Sequence, residues 1–385
     1  MTGRVLAGLA RTVYVSSGRG STVTPIATAT NTAGEPIEVG GGPGSGRGPG
    51  SIAVTPDGKT AYVVIVGHPG AVVPIATATN TPSPPIEIGN HPDGIVITPD
   101  GKTVYVANIN SGTVTPIATA TNTAGEPIQV GVRPRAIAVT PDGKTAYVVN
   151  QSRPQPPPWP SYEARKRGRP ELPPDDRGTV TPIATATNTP GAPIDVGNEP
   201  FAITVTPDGK TVYVANTWEN TGRLASGQST VTPIATATNT PGATIEVGSQ
   251  PWAFAITPDG KTAYVINFAS ASVTPIATAT NTPGPPIPVG QGPRAIAITP
   301  DGKTAYVASW QGGTVTPIAT ATNTTGTPIE VGEGARAIVI TADGKTAYVV
   351  VWGEPGTVTP IATATNTAGT PIQVGDGPYA IAITP

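Results

Sequence analysis

Cysteine is absent from the 385-residue chain. That excludes disulfide frameworks, thiolate metal sites and cysteine nucleophiles. Charge is scarce as well. Charged residues make up 12% of the chain and the formal net charge is −2, so there is no electrostatic reason to expect nucleic acid or an anionic membrane as a partner. A solvated disordered tail would need more charge and less than the 37% hydrophobic content found. No apolar run approaches the ~18 residues of a membrane-spanning helix, and collagen's glycine at every third position is missing.

Glycine and proline are abundant, at 47 residues each, and a repeat explains them. The octamer Pro-Ile-Ala-Thr-Ala-Thr-Asn-Thr begins at Pro25, Pro74, Pro116, Pro182, Pro233, Pro275, Pro317 and Pro360. The basic period is 42 residues, and three units carry insertions. Four short segments recur in each period. They are strand A (Ala136-Ile-Ala-Val-Thr140), strand B (Thr145-Ala-Tyr-Val-Val-Asn150), strand C (Thr113-Val-Thr-Pro-Ile-Ala-Thr119) and strand D (Glu126-Pro-Ile-Gln-Val130). All are rich in Val, Ile, Thr and Tyr and bounded by turn residues, which is the strand signature. No stretch has a helical period.

Four strands in about 42 residues match one blade of a β-propeller. The fold class predicted is all-β: an eight-bladed propeller with four antiparallel strands per blade, forming one domain over 1–385 with an N-terminal extension at 1–10. Each segment type occurs eight times; the strand B tyrosines are Tyr14, Tyr62, Tyr105, Tyr147, Tyr213, Tyr264, Tyr306 and Tyr348. The sequence begins on a strand B (Thr12–Ser17) and ends on a strand A (Ala380–Thr384). Pairing the two closes the ring and removes the open sheet edges.

The segments Tyr105-Val-Ala-Asn108, Tyr147-Val-Val-Asn150 and Tyr213-Val-Ala-Asn216, preceded by Pro-Asp-Gly-Lys-Thr and followed by Thr-Ala-Thr-Asn-Thr, resemble the YVTN β-propeller repeat family over residues 11–385. The resemblance implies the propeller fold; many such proteins are exported or surface-associated. Strand C departs from the family pattern, with Pro-Ile-Ala in place of Val-Ile-Asp. Proline cannot donate to a ladder, so strand C is expected to be bulged or poorly paired there.

Function is sought where the copies differ. In the usual strand path the A–B and C–D turns share one face, and the D–A and B–C loops share the other. The A–B face is monotonous: Lys59, Lys102, Lys144, Lys210, Lys261, Lys303 and Lys345 each follow Asp-Gly. Gly-Lys-Thr there lacks phosphate-loop spacing and a following helix. The insertions at 40–51, 151–178 and 217–229 all fall on the other face. So do nine aromatics outside the framework, both histidines, and all twelve arginines from Arg19 onward. The second and third insertions could form a flap over the channel, or could be functionless loops.

One position, just before the Ala-Ile-Ala of strand A, is expected to rim the central channel. Around the ring it reads Tyr379, Gly50, Asp93, Arg135, Phe201, Trp252, Arg294 and Arg336. A second variable position, after strand B, contributes Phe268, Trp310 and Trp352, with Trp218 displaced by one residue. Aromatic faces give contact area at low entropy cost, and arginine reads carboxylate or phosphate with paired donors. The expected partner is a small ligand with an anionic group and a flat or apolar part, or a protein or peptide. Alternatively the bulky residues merely plug a wide channel.

No catalytic residue is identified, no cofactor is implied, and enzymatic activity is uncertain but not favoured. His68, His91 and Asp93 could converge as a partial metal site or acid–base pair, though surface histidines are commonly just solvated. Asp93, Glu199, Glu333 and Asp376 could bind calcium, but are expected instead to pair with Arg135, Arg294 and Arg336. Three readings stand open: a binding module, a structural surface or cell-envelope repeat protein, and a propeller enzyme of lactonase or lyase type. A monomer without membrane insertion is expected. Residues 1–10 are too short in apolar content for a signal-peptide core, which leaves the compartment open.

Overall fold

The computed structural model describes residues 11–40, 48–151, 177–217 and 229–385. It is all-β. Eight small antiparallel sheets stand in a ring as the blades of a propeller. Blade 3 shows the plan. Strand A is Pro92–Ile97, strand B Thr103–Asn108 and strand C Thr113–Ala118; strand D comes in two pieces, Thr123–Ala124 and Ile128–Gln129. Blade 1 joins both ends of the sequence. Its strand A, Pro378–Ile383, pairs antiparallel with its strand B, Thr12–Ser17. The predicted closure is therefore present.

The A–B turn explains why Thr-Pro-Asp-Gly-Lys repeats. In blade 3 the Thr98 hydroxyl donates to Asp100 Oδ1 at 2.6 Å, and that oxygen also accepts from the Lys102 backbone N–H at 3.1 Å. Gly101 takes the left-handed conformation at φ 70°, which costs glycine no steric strain. Its N–H donates to the Thr98 carbonyl at 2.8 Å. The hydroxyl hydrogen bond holds the Asp100 carboxyl below its ordinary range, and the backbone bond adds to it.

The core lies between blades. Side chains alternate along a strand, so the two faces of each strand B pack against different neighbours. Val104 and Val106 pack with Tyr62 and Val64 of blade 2, whereas Tyr105 packs with Ala146 and Val148 of blade 4. Both faces are buried, which is why these strands read as continuous apolar runs. The same packing closes the ring, where Val13, Val15 and Ile26 meet Tyr348, Val350 and Val358.

Two strand expectations need correction. Strand C is not bulged at its proline. It pairs with strand B in unbroken register, Tyr105 opposite Pro116. The Pro116 carbonyl accepts from Gly125 N–H at 2.8 Å, so the residue's polar side faces strand D rather than strand B. The missing donor is felt there. Strand D is interrupted between a piece paired with Ile117 and Ala118 and a piece paired with Thr113 and Val114. Strand D is accordingly two short pieces, not one segment.

Strand A also begins earlier than expected, for example at Pro134 in Pro134–Val139. A register shift follows between Pro134 and Ile137. Arg135, Phe201, Trp252, Arg294, Arg336 and Tyr379 therefore sit in strand A, at its irregular first turn, and not in the loop before it. The insertion ends are likewise partly strand: Gly48–Val54 and Arg177–Ala184.

Candidate functional site

Each rim residue is aimed by a repeated corner. It follows a proline in seven copies, the exception being Arg336 after Ala335. In seven copies the residue before that pair is left-handed: His91, Arg133, Glu199 and Gln250 have φ 52°, 52°, 45° and 55°, and Gly292, Gly334 and Gly377 have 63°, 94° and 58°. Non-glycine residues rarely adopt such angles. The carbonyl of this residue accepts from the N–H of the residue after strand B. Phe268 N–H donates to Gln250 at 2.8 Å, Trp310 to Gly292 at 2.9 Å and Trp352 to Gly334 at 2.9 Å. In seven of the eight blades one backbone hydrogen bond thus clamps the two variable positions side by side; in blade 2 Gly48 instead pairs with Val66 in the ladder.

Seven of the eight rim residues line one cavity of about 430 Å³: Asp93, Arg135, Phe201, Trp252, Arg294, Arg336 and Tyr379. Gly50 does not line it; in blade 2 the wall is formed by Ser51 and Ile52. Below the rim the lining is small or aliphatic, including Gly94, Ile95, Ala136, Ile137 and Ala380.

The rim side chains form a continuous ladder. Arg135 Nε lies 3.6 Å from Asp93 Oδ2, and its guanidinium carbon is 4.2 Å from the Phe201 centroid. Phe201 packs on Trp252 at 4.2 Å between centroids, and Trp252 on Phe268 at 5.6 Å. The Arg294 guanidinium carbon lies 5.1 Å from Trp252, 5.6 Å from Phe268 and 4.7 Å from Trp310. Arg336 lies 5.9 Å from Trp310 and 3.9 Å from Tyr379, and its Nε donates to the Tyr379 carbonyl at 3.2 Å. Cation–π contacts of this kind are worth ~0.5–2 kcal/mol each, more when desolvated. Beyond the rim, Trp310 packs on Trp352 at 6.0 Å, and Trp352 carries Arg19 at 5.2 Å. Arg19 is itself ion-paired with Glu354. Sequence reasoning did not single out Arg19 or Glu354; their places in the B–C loops of blades 1 and 8 were the available signal.

The acidic residues behave differently from expectation. Asp93 pairs with Arg135 as foreseen. Among the described residues, Glu333 and Asp376 form no salt bridge with Arg294 or Arg336, whose partners are aromatic instead. Burial lowers the pKa of Arg294, and the charge of Arg336 lowers it further. His68 and His91 do meet, with ring centroids 5.9 Å apart. Burial and then the neighbouring His68 push the His91 pKa down. Among the described residues no three His, Asp or Glu gather into a metal-holding group. Trp218, Trp159 and Tyr162 lie outside the described residues.

No protein-family model matches the sequence, and no curated protein matches it. Solved structures do. Hydrazine synthase of Kuenenia stuttgartiensis aligns with a TM-score of 0.60 at 21% identity, covering 86% of this chain and 96% of that one. Dihydro-heme d1 dehydrogenase NirN aligns at 0.71 and 15% identity, covering 96% and 74%. Apo AztD from Citrobacter koseri aligns at 0.67 and 12% identity, covering 97% and 98%. At these identities the chain shares their propeller fold, and the likeness extends no further.

Proposed function

We propose that this chain is a non-catalytic binding propeller of the YVTN-repeat type. It recognises a ligand or partner at the D–A/B–C face and the channel mouth, through arginine and aromatic side chains. The observation that carries the reading is the concentration of seven rim residues around a single cavity of about 430 Å³. Eight near-identical blades hold the scaffold, and variation in charge and bulk is collected at this one end. A plug needs volume only. It does not need three arginines, which are costly to bury together. An anionic group suits the arginines, and a flat or apolar body suits the aromatic rim and the aliphatic wall beneath it.

The test compares the wild type with the Trp252→Ala, Arg294→Ala double variant, in a screen of small aromatic and aliphatic anions and in partner capture. Loss of an interaction in the double variant, with the β-sheet circular dichroism retained, supports the reading. Identical interaction profiles for the two proteins would overturn it.

A further inference from the structure

We infer that Arg294 and Arg336 form a two-arginine clamp for one doubly charged group, a phosphate monoester or a vicinal dicarboxylate, and that the surrounding rings serve chiefly to hold these arginines. This deepens the binding reading above and rests on it.

Three observations converge. First, the two guanidiniums are neighbours on the rim and share Trp310, whose centroid is 4.7 Å from one and 5.9 Å from the other. Both line the cavity. Second, among the described residues neither has a carboxylate partner. Arg135, by contrast, already has Asp93 at 3.6 Å, so the unbalanced positive charge lies on blades 7 and 8. Third, all but one of their donors are without a hydrogen-bond partner among the described residues. Arg294 Nε is buried without a hydrogen-bond partner among the described residues. Arg336 commits only its Nε, to the Tyr379 carbonyl. Ring contacts fix a guanidinium without consuming its N–H groups. Trp252, Phe268, Trp310 and Tyr379 therefore preorganise the donors and lower the entropy cost of binding. Two adjacent cations in a half-buried site repel. A dianion relieves that repulsion fully, where a monoanion relieves only part of it.

The probes are phenyl phosphate, phthalate and benzoate, which share one aromatic body and differ in charge. Binding is followed by tryptophan fluorescence and calorimetry at about pH 8, where a phosphate monoester is doubly ionised. The wild type is expected to bind a dianion about tenfold or more tighter than benzoate, the size of one charge-assisted hydrogen bond. Arg294→Lys and Arg336→Lys keep the charge but lose the paired donors, and each should erase the preference. Arg135→Lys should keep it. A preference for phenyl phosphate over phthalate identifies the phosphate as the group read, and the reverse identifies the dicarboxylate. Equal binding of benzoate and both dianions overturns the clamp and leaves the anion-binding reading standing. Loss of the preference in Arg135→Lys places the anion elsewhere and also overturns the clamp. If none of the three anions binds, the clamp is overturned, while the binding reading still stands or falls on the Trp252→Ala, Arg294→Ala comparison. Arg336 lies outside the three-ring cage around Arg294, so its variant remains informative should Arg294→Lys fold poorly.

Discussion

The phenol of Tyr348 donates to Oδ1 of Asn31 at 2.5 Å, joining residues 317 positions apart. It is one of eight such bonds. Tyr14, Tyr62, Tyr105, Tyr147, Tyr213, Tyr264 and Tyr306 reach Asn80, Asn122, Asn188, Asn239, Asn281, Asn323 and Asn366 at 2.5–2.7 Å. Each tyrosine of a strand B thus binds the C–D turn of the following blade, and the Tyr348 bond closes the circle. The constancy of Tyr and Asn across the repeats is a constraint of ring closure.

The seam tests this directly. Tyr348→Phe removes one hydrogen bond and should lower stability by about 1 kcal/mol, measured by urea unfolding. Asn31 is left-handed at φ 54°. Asn31→Gly should cost about as much as Tyr348→Phe, because glycine accepts that angle. Asn31→Ala should cost roughly a further 1 kcal/mol in backbone strain. Equal losses for Gly and Ala would show that the turn conformation is not what asparagine supplies.

Alkaline pH should open the same ring. Burial raises the phenol pKa of all eight framework tyrosines, to about 12 at Tyr14, Tyr105 and Tyr213. The folded state thus favours the protonated phenol. Its stabilisation is complete below the unfolded value near pH 10 and is lost as pH rises toward the folded values. Tyrosinate absorbance and β-sheet circular dichroism should change together between about pH 10 and 12. Ionisation of most phenols with the β signal intact would contradict the assignment.

Acid should act on the opposite face. The aspartates of the A–B turns, Asp57, Asp100, Asp142, Asp208, Asp259, Asp301 and Asp343, are all held below their ordinary range, first by the threonine hydroxyl two residues earlier. A depressed carboxyl pKa contributes stability that is present above the unfolded value of about 4 and is lost as pH falls through the folded one. The melting temperature should therefore decline below about pH 4. Thr98→Val should weaken the acid dependence at its own turn, with little effect on anion binding at the far face.

Much of this was legible in the sequence, because a propeller repeats local rules. The period, the strand types, the closure and the rim position follow from turn chemistry and alternation read eight times over. The corner that aims the rim was missed, although proline precedes the variable residue in seven copies. Its left-handed partner is Gln250 in one blade and Gly292 in the next, so no residue type marks it. The partners of Arg294 were also beyond reach. A carboxylate was expected, and Trp252, Phe268 and Trp310 are found. That choice depends on side chains brought together across the boundary between blades 6 and 7, where spacing along the chain carries no information.

A last prediction concerns the polar end of strand B, just below the rim. Asn267 is fully buried; its amide donates to Thr274 Oγ1 at 2.9 Å and to Ser272 Oγ at 3.2 Å. Gly248 lies against it. A Cβ at Gly248 would sit 2.7 Å from Asn267 Cγ, closer than side chains pack. Blades 3, 4 and 5 repeat the pairing as Gly89 with Asn108, Gly131 with Asn150 and Gly197 with Asn216. Gly248→Ala must displace a buried, hydrogen-bonded amide, so it should destabilise by roughly 1–3 kcal/mol. Adding Asn267→Gly removes both the amide and the Asn267 Cβ, which the new methyl would otherwise meet at 2.8 Å. The clash is then relieved, and part of the loss should be recovered. Melting temperatures of the two single variants and the double variant form a cycle that isolates the contact. Strictly additive losses would mean that the glycine is required for some reason other than the asparagine.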